Sequence, residues 1–306
     1  MIKKISFIGI SHLSLVYSSV YSEYVKKIVC YDDDKSIVSN LKNLKIELEE
    51  PGLEFLLKKN KKKFLYTNKI SEIIDSDIVY VGIDIATNKK NQLRLSKLNF
   101  LCKQILNLKL RKKTSIVFLS QVPPGYIENF SKKITNKVFY QVETLVFGNA
   151  IHRAKRPERF IIGSKYSNIN DLKYFNFLKK FKCPILNMDY RTSELSKIAI
   201  NIMLISSSMT ANYLSIISEK LNFDWLKIIE ALKMDKRIGK YAYIYPSLGL
   251  SGGNLERDLN SLKNIASNNL IDTSIIKSWN KISDIRKKWV QLHLSSILKK
   301  LKQKKI

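Results

Sequence analysis

Residues 4–34 read KISFIGISHLSLVYSSVYSEYVKKIVCYDDD. Lys4 to Ile10 form an apolar run with Gly9 near its end. A helical spacing follows from about His12 to Tyr24, and KIVCYDDD forms a second strand that closes in Asp32, Asp33 and Asp34. Strand, turn, helix and strand with a carboxylate at its end is the layout of a dinucleotide-binding βαβ unit, in which Asp32 accepts hydrogen bonds from the adenosine ribose. A carboxylate there favours NAD over NADP because it repels a 2′-phosphate. The glycine fingerprint is incomplete: where G-x-G-x-x-G is expected, GISHLS supplies Gly9, Ser11 and Ser14. Serine is the smallest polar replacement, so the loop is expected to form with a weakened hold on the cofactor phosphates.

Working outward, strands are expected at Lys63 to Tyr66, Asp77 to Ile83 and Thr114 to Leu119. Helices are expected at about Pro51 to Asn60, Lys69 to Ile74 and Asn91 to Leu110. Val/Ile-rich strands alternating with helices specify α/β architecture with a parallel sheet covered on both faces. Ligands on such a sheet bind beyond the carboxyl ends of the strands, which gathers Gly9, Asp32, Asp84 and the loop from Ser120 to Gly125 around one crevice.

The second landmark is RTSELSKIAINIMLISSSMTANYLSIISEKL, Arg191 to Leu221, which contains neither Gly nor Pro. Apolar residues at helical spacing and on the remaining sides predict one long helix buried almost all round. Lys197 and Asn201 lie one turn apart and face the same way, so a cation and an amide could grip one small polar group. Taken from the helix alone, the plainer reading is a lysine that snorkels at the helix start and an asparagine satisfied by its neighbours.

The 306 residues suit two domains, and 45% hydrophobic content supports folding throughout. A formal charge of +28 points toward an anionic partner. The lysines are spread over many helices, however, as an AT-rich codon bias also produces, and no aromatic-interleaved patch marks a nucleic-acid binder. Cys30, Cys102 and Cys183 are sparse and odd in number, which implies a reducing compartment and no metal site. The apolar start is too short for a signal peptide, and no stretch approaches the roughly 20 apolar residues of a membrane span, so a soluble cytoplasmic protein is expected.

Five segments in order resemble the UDP-glucose/GDP-mannose dehydrogenase family. They are EEPGLEFLL (49–57), SQVPPG (120–125), ETLVFGNAIHRAKRPERFIIG (143–163), RTSELSKIAIN (191–201) and DKRIGKYAYIYPSLGLSGGNLERD (235–258). The resemblance implies NAD-dependent oxidation of a nucleotide-sugar alcohol, which the family carries through to a carboxylate. It places the family's catalytic lysine and asparagine on Lys197 and Asn201, its base or water-orienting aspartate on Asp258 and its first acidic loop residue on Glu143. It also implies cofactor contacts at Gly9, Ser11, Ser14, Asp32, Gln121 and Arg257, and substrate contacts at Leu145, Tyr245, Gly249 and Gly252.

The departures concern the later chemistry. The family's catalytic cysteine aligns with Asn254, whose amide cannot form the thiohemiacetal and thioester that lead from aldehyde to acid. Gln121 stands for a threonine and Phe147 for a second glutamate, and the Thr-Pro expected after the fourth strand is Asp84, Ile85 and Ala86. The family continues beyond Asp258 through two helical stretches, here about Leu259 to Ser267 and Thr273 to Leu301, into a further nucleotide-holding domain. This chain stops at LKQKKI.

The expectation is a Rossmann-like NAD-binding domain over residues 1–190 and an all-helical dimerisation domain over 191–306, paired as a homodimer that buries the long helix. The substrate is a nucleotide sugar or related phosphorylated alcohol, oxidised once. The alternative is a non-catalytic nucleotide-binding or scaffold relative.

Overall fold

The computed structural model describes residues 2–46, 49–88, 93–170, 172–251 and 253–303. Eight strands form one sheet: β1 (Lys4–Ile8), β2 (Lys27–Tyr31), β3 (Phe64–Thr67), β4 (Ile78–Val81), β5 (Ser115–Phe118), β6 (Lys137–Gln141), β7 (Phe160–Gly163) and β8 (Ile185–Met188). The helices are α1 (His12–Tyr21), α2 (Lys35–Lys42), α3 (Leu53–Lys59), α4 (Ser96–Asn107), α5 (Tyr126–Ser131), α6 (Ala150–Lys155), α7 (Lys173–Leu178) and α8 (Tyr190–Leu221). They continue with α9 (Trp225–Met234), α10 (Gly253–Asn268), α11 (Ser274–Lys287) and α12 (Trp289–Gln303).

The chain divides into two compact units, residues 1–86 with 93–197 and residues 87–92 with 198–306. In the first, the strand order is β3-β2-β1-β4-β5-β6-β7-β8, which begins as the doubly wound order of a Rossmann sheet. The inner strands are buried along their whole length because helices cover both faces, as their unbroken apolar sequences require. Ile5, Phe7, Val16, Val20 and Tyr21 bring β1 and α1 together in the core. One pairing departs from the expected parallel sheet: β7 runs antiparallel to β6. The chain goes from β6 to β7 through the short α6, which returns it in the opposite direction.

Glu194, in the first turn of α8, is fully buried and accepts hydrogen bonds from the Gly125 and Ile127 amides, the latter at 2.8 Å. Burial pushes its carboxyl up to about 7 from the ordinary 4.5, although the two amides act against that rise. The folded chain therefore holds a proton that the unfolded chain releases. The stabilisation is complete below the unfolded value and lost as pH rises through about 7. Between pH 5 and 8 this group should account for about 2 to 3 kcal/mol of falling stability. Urea unfolding at the two pH values should show that component in the wild type and not in Glu194→Gln.

The second unit is helical. Ile205 and Met209 of α8 pack with Leu250, Leu259 and Ile276, and α9 supplies Trp225 and Ile229 to a second cluster with Ala211 and Ile244. Almost complete burial of α8 is not found: Met203 is 70% exposed, and Leu195, Tyr213 and Leu221 are exposed as well. The helix is apolar on more sides than the rest of the chain covers. By length and composition alone α8 is apolar enough to cross a membrane, a test that core helices of globular proteins also pass. The helix expected to run unbroken from Thr273 to Leu301 is divided at Lys288, where Arg286 and Trp289 both turn to Glu219, at 3.0 and 2.9 Å. The segment expected as a helix at Lys69 to Ile74 is a single 3₁₀ turn, Ile70–Ile73.

Candidate active site

The carboxyl ends of β1, β2 and β4 meet at Gly9. Its φ of +81° is left-handed, and a Cβ there would stand 2.0 Å from the Ile83 side chain, so only glycine fits. Ser11 caps α1: its Oγ accepts from the Ser14 amide at 3.3 Å and donates to the Gly82 carbonyl at 2.8 Å. The Ser14 hydroxyl donates to the same carbonyl at 2.5 Å. The two serines thus replace the close approach of glycine backbones with hydrogen bonds that tie α1 to the end of β4.

Asp32 is fully buried. Its Oδ2 accepts the Ile10 amide at 2.7 Å, and its Oδ1 accepts the Asp34 amide at 3.0 Å and the Lys97 ammonium at 3.3 Å. A carboxylate offers about four acceptor positions, so one stays open to a ribose hydroxyl. Lys97, with its side chain 45% exposed, can leave to open another. A required glycine at the amino end of a helix of 10 residues, next to that carboxylate, suits an adenine dinucleotide. On the neighbouring loops, the Ser120 hydroxyl accepts from the Ile83 amide and donates to the Ile83 carbonyl, both at 2.8 Å. Gln121 follows, half-buried.

Lys197 closes this unit on α8. Its ammonium lies 3.4 Å from Glu143 Oε2, with side-chain exposures of 12% and 20%. The other Glu143 oxygen accepts the Leu145 amide, and Leu145 is half-buried. Phe147 is 66% exposed and stacks on His12, with ring centroids 4.2 Å apart.

In the helical unit, Asn201 donates its amide hydrogen to Asp258 Oδ2 at 2.5 Å, and Arg257 Nε donates to Asp258 Oδ1 at 3.1 Å. Asp258 is fully buried, and Asn201 and Arg257 are 8% and 9% exposed. An ionised carboxylate only accepts, so the orientation of the Asn201 amide is determined: its nitrogen faces Asp258 and its oxygen faces away. The Arg257 charge is set against Asp258. Tyr245 is exposed and receives Lys233 at 2.9 Å from its hydroxyl. Gly249 has φ +91°, and a Cβ there would lie 2.5 Å from the Ser283 carbonyl. Asn254 is exposed in the first turn of α10. Gly252 lies outside the described residues.

Sequence reasoning did not single out three of these residues. His12 and Glu50 are hydrogen-bonded at 3.0 Å across 38 positions, and Lys97 reaches Asp32 across 65. Glu50 had a signal, since it begins the EPG turn at Pro51 and Gly52; the other two had none.

Residues 3–175 match the NAD binding domain of the UDP-glucose/GDP-mannose dehydrogenase family, and residues 191–284 match its central domain. The chain belongs to that family. Among relatives, UDP-glucose 6-dehydrogenase TuaD of Bacillus subtilis is 29% identical over 278 residues, covering 86% of this chain and 59% of its own length. A UDP-glucose dehydrogenase structure from Pyrobaculum islandicum has a TM-score of 0.84 at 22% identity, covering 93% of this chain and 68% of that one. A UDP-D-ManNAc dehydrogenase from Pyrococcus horikoshii has a TM-score of 0.85 at 17% identity, covering 98% and 72%. This dehydrogenase-family chain thus spans about three fifths of the length of TuaD. Its NAD-binding match includes Gly9, Asp32, Gln121 and Glu143, and its central-domain match includes Lys197, Asn201, Asn254 and Asp258.

Proposed function

We propose that this family member oxidises an alcohol carbon of a nucleotide sugar or related phosphorylated alcohol once, and releases an aldehyde or ketone. Bound NAD supplies the hydride acceptor. Lys197 donates a hydrogen bond to the substrate oxygen and stabilises its alkoxide character as the hydride leaves. As the family resemblance implies, the Asn201 amide positions that oxygen, whose proton leaves to solvent water as the hydride passes to NAD. The observation that carries this reading is the paired polar architecture of α8, with Lys197 on Glu143 and, one turn later, Asn201 on Asp258. The exposed Asn254 supports stopping after one oxidation, because an amide cannot attack an aldehyde carbon as a thiolate does.

The uncovered apolar side chains of α8, Met203 and Tyr213 among them, support pairing of two copies in a homodimer. The second reading is a non-catalytic nucleotide-binding or scaffold relative. Ser11 and Ser14 favour it, because their hydroxyls are both directed to Gly82 and add nothing to a phosphate cradle. Calorimetric titration with NAD and with a panel of UDP- and GDP-sugars separates the two. Binding of NAD below millimolar concentration together with NADH formed on adding a sugar supports the dehydrogenase, binding without NADH supports the non-catalytic nucleotide binder, and no heat at millimolar NAD supports the scaffold.

A further inference from the structure

Glu50 connects two segments that the proposed reaction uses separately. Its side chain is fully buried and takes three hydrogen bonds: Oε2 from His12 Nε2 and from the Gly148 amide, both at 3.0 Å, and Oε1 from the Ala150 amide at 2.8 Å. Burial opposes its charge, but the Ala150 and Gly148 amides and His12 outweigh that and hold the carboxyl below its ordinary value. A carboxylate bonded to Nε2 fixes the hydrogen on that nitrogen and so sets the imidazole tautomer.

His12 is the first residue of α1, directly after the cofactor loop, and its ring is covered by Phe147. The segment 143–150 has little slack. Glu143 pairs with Lys197 at one end, the Thr144 carbonyl receives Arg153 Nε at 3.0 Å, and the Asn149 amide bonds the Val146 carbonyl at 3.0 Å. Gly148, with φ +79°, turns the chain so that the amides at 148 and 150 reach the same carboxylate.

We propose that Glu50 is a positioning residue: by holding His12 and the 148–150 turn together, it sets the 143–147 segment and hence the Glu143–Lys197 pair. What that pair does rests on the function proposed above; how it is held does not.

The test is the acetylation rate of Lys197, read by peptide mass spectrometry on the full chain without cofactor. Lys4 serves as the internal reference, because its side chain is 11% exposed against 12% for Lys197 and it is also paired, with Asp75, in the same unit. In Glu50→Gln only one acceptor oxygen remains, so the NH2 group opposes either the Ala150 amide or the His12 and Gly148 donors, and the three-way link is broken. Lys197 should then react at least about fivefold faster relative to Lys4, the scale of coupling within one hydrogen-bond network. His12→Leu should do the same, and His12→Gln, which keeps a donor at similar reach, should restore the wild-type ratio. An unchanged ratio, or parallel acceleration of both lysines in every variant that folds, overturns the proposal. A wild-type chain that fails to bind NAD in a separate titration would defeat the functional reading and leave this comparison decisive.

Discussion

Lys197→Ala should lower the rate of hydride transfer by about 10²- to 10⁴-fold, the range set by removing a positioned group that acts on charge developing in the transition state. The side chain is 12% exposed and 3.4 Å from Glu143, so the ammonium is largely shielded from water, where an electrostatic contact acts most strongly. Binding of the nucleotide part of the substrate should change far less, because a charge that matters only as the hydride leaves affects kcat more than KM. Lys197→Arg should not rescue the rate, since a planar guanidinium cannot take the place of a compact ammonium beside Glu143. Single-turnover measurement of NAD reduction checks the first statement. A loss smaller than tenfold in a folded variant would remove Lys197 from the reaction.

Asp258→Ala should destabilise the chain by about 3–5 kcal/mol, the loss typical when one member of a buried ion pair is deleted. Asp258 is fully buried between Asn201 and Arg257, which are themselves 8% and 9% exposed. Removing the carboxylate takes away the buried acceptor of both Arg257 Nε and the Asn201 amide. Asp258→Asn keeps the volume and one acceptor oxygen, so its loss should be smaller, about 1–3 kcal/mol. Urea denaturation of the two variants against the wild type gives both values. Equal effects would mean that the charge of Asp258 does not hold this cluster together.

Local patterning made the first half of the fold legible. The β1–α1–β2 unit follows from an apolar run, a glycine that no other residue can replace at Gly9, a helical period and a terminal carboxylate. Strands β6 and β7 escaped although they are as long as the strands that were legible: β6 opens on the exposed Lys137, and β7 pairs antiparallel to β6, which no local pattern announces. The break between α11 and α12 has no Gly or Pro to announce it; it depends on Arg286 and Trp289 finding Glu219 far away in the sequence.

The site shows the same division. Resemblance supplied Lys197, Asn201, Glu143 and Asp258 as separate positions. Their pairing, and the fact that Arg257 bonds Asp258, needed three dimensions, as did the link from His12 to Glu50. Exposure along α8 was misjudged because an apolar helix states what could be covered and not how much neighbouring chain exists to cover it.

The central claim is that one hydride leaves each substrate and that the reaction stops there. The most direct measurement is the NADH formed per nucleotide sugar consumed, followed by absorbance together with mass analysis of the sugar product. The proposed function predicts a ratio of one, with an aldehyde or ketone as product. A ratio of two with a carboxylate product would contradict it, because Asn254 would then stand in a site that completes the second oxidation without a thiol at that position.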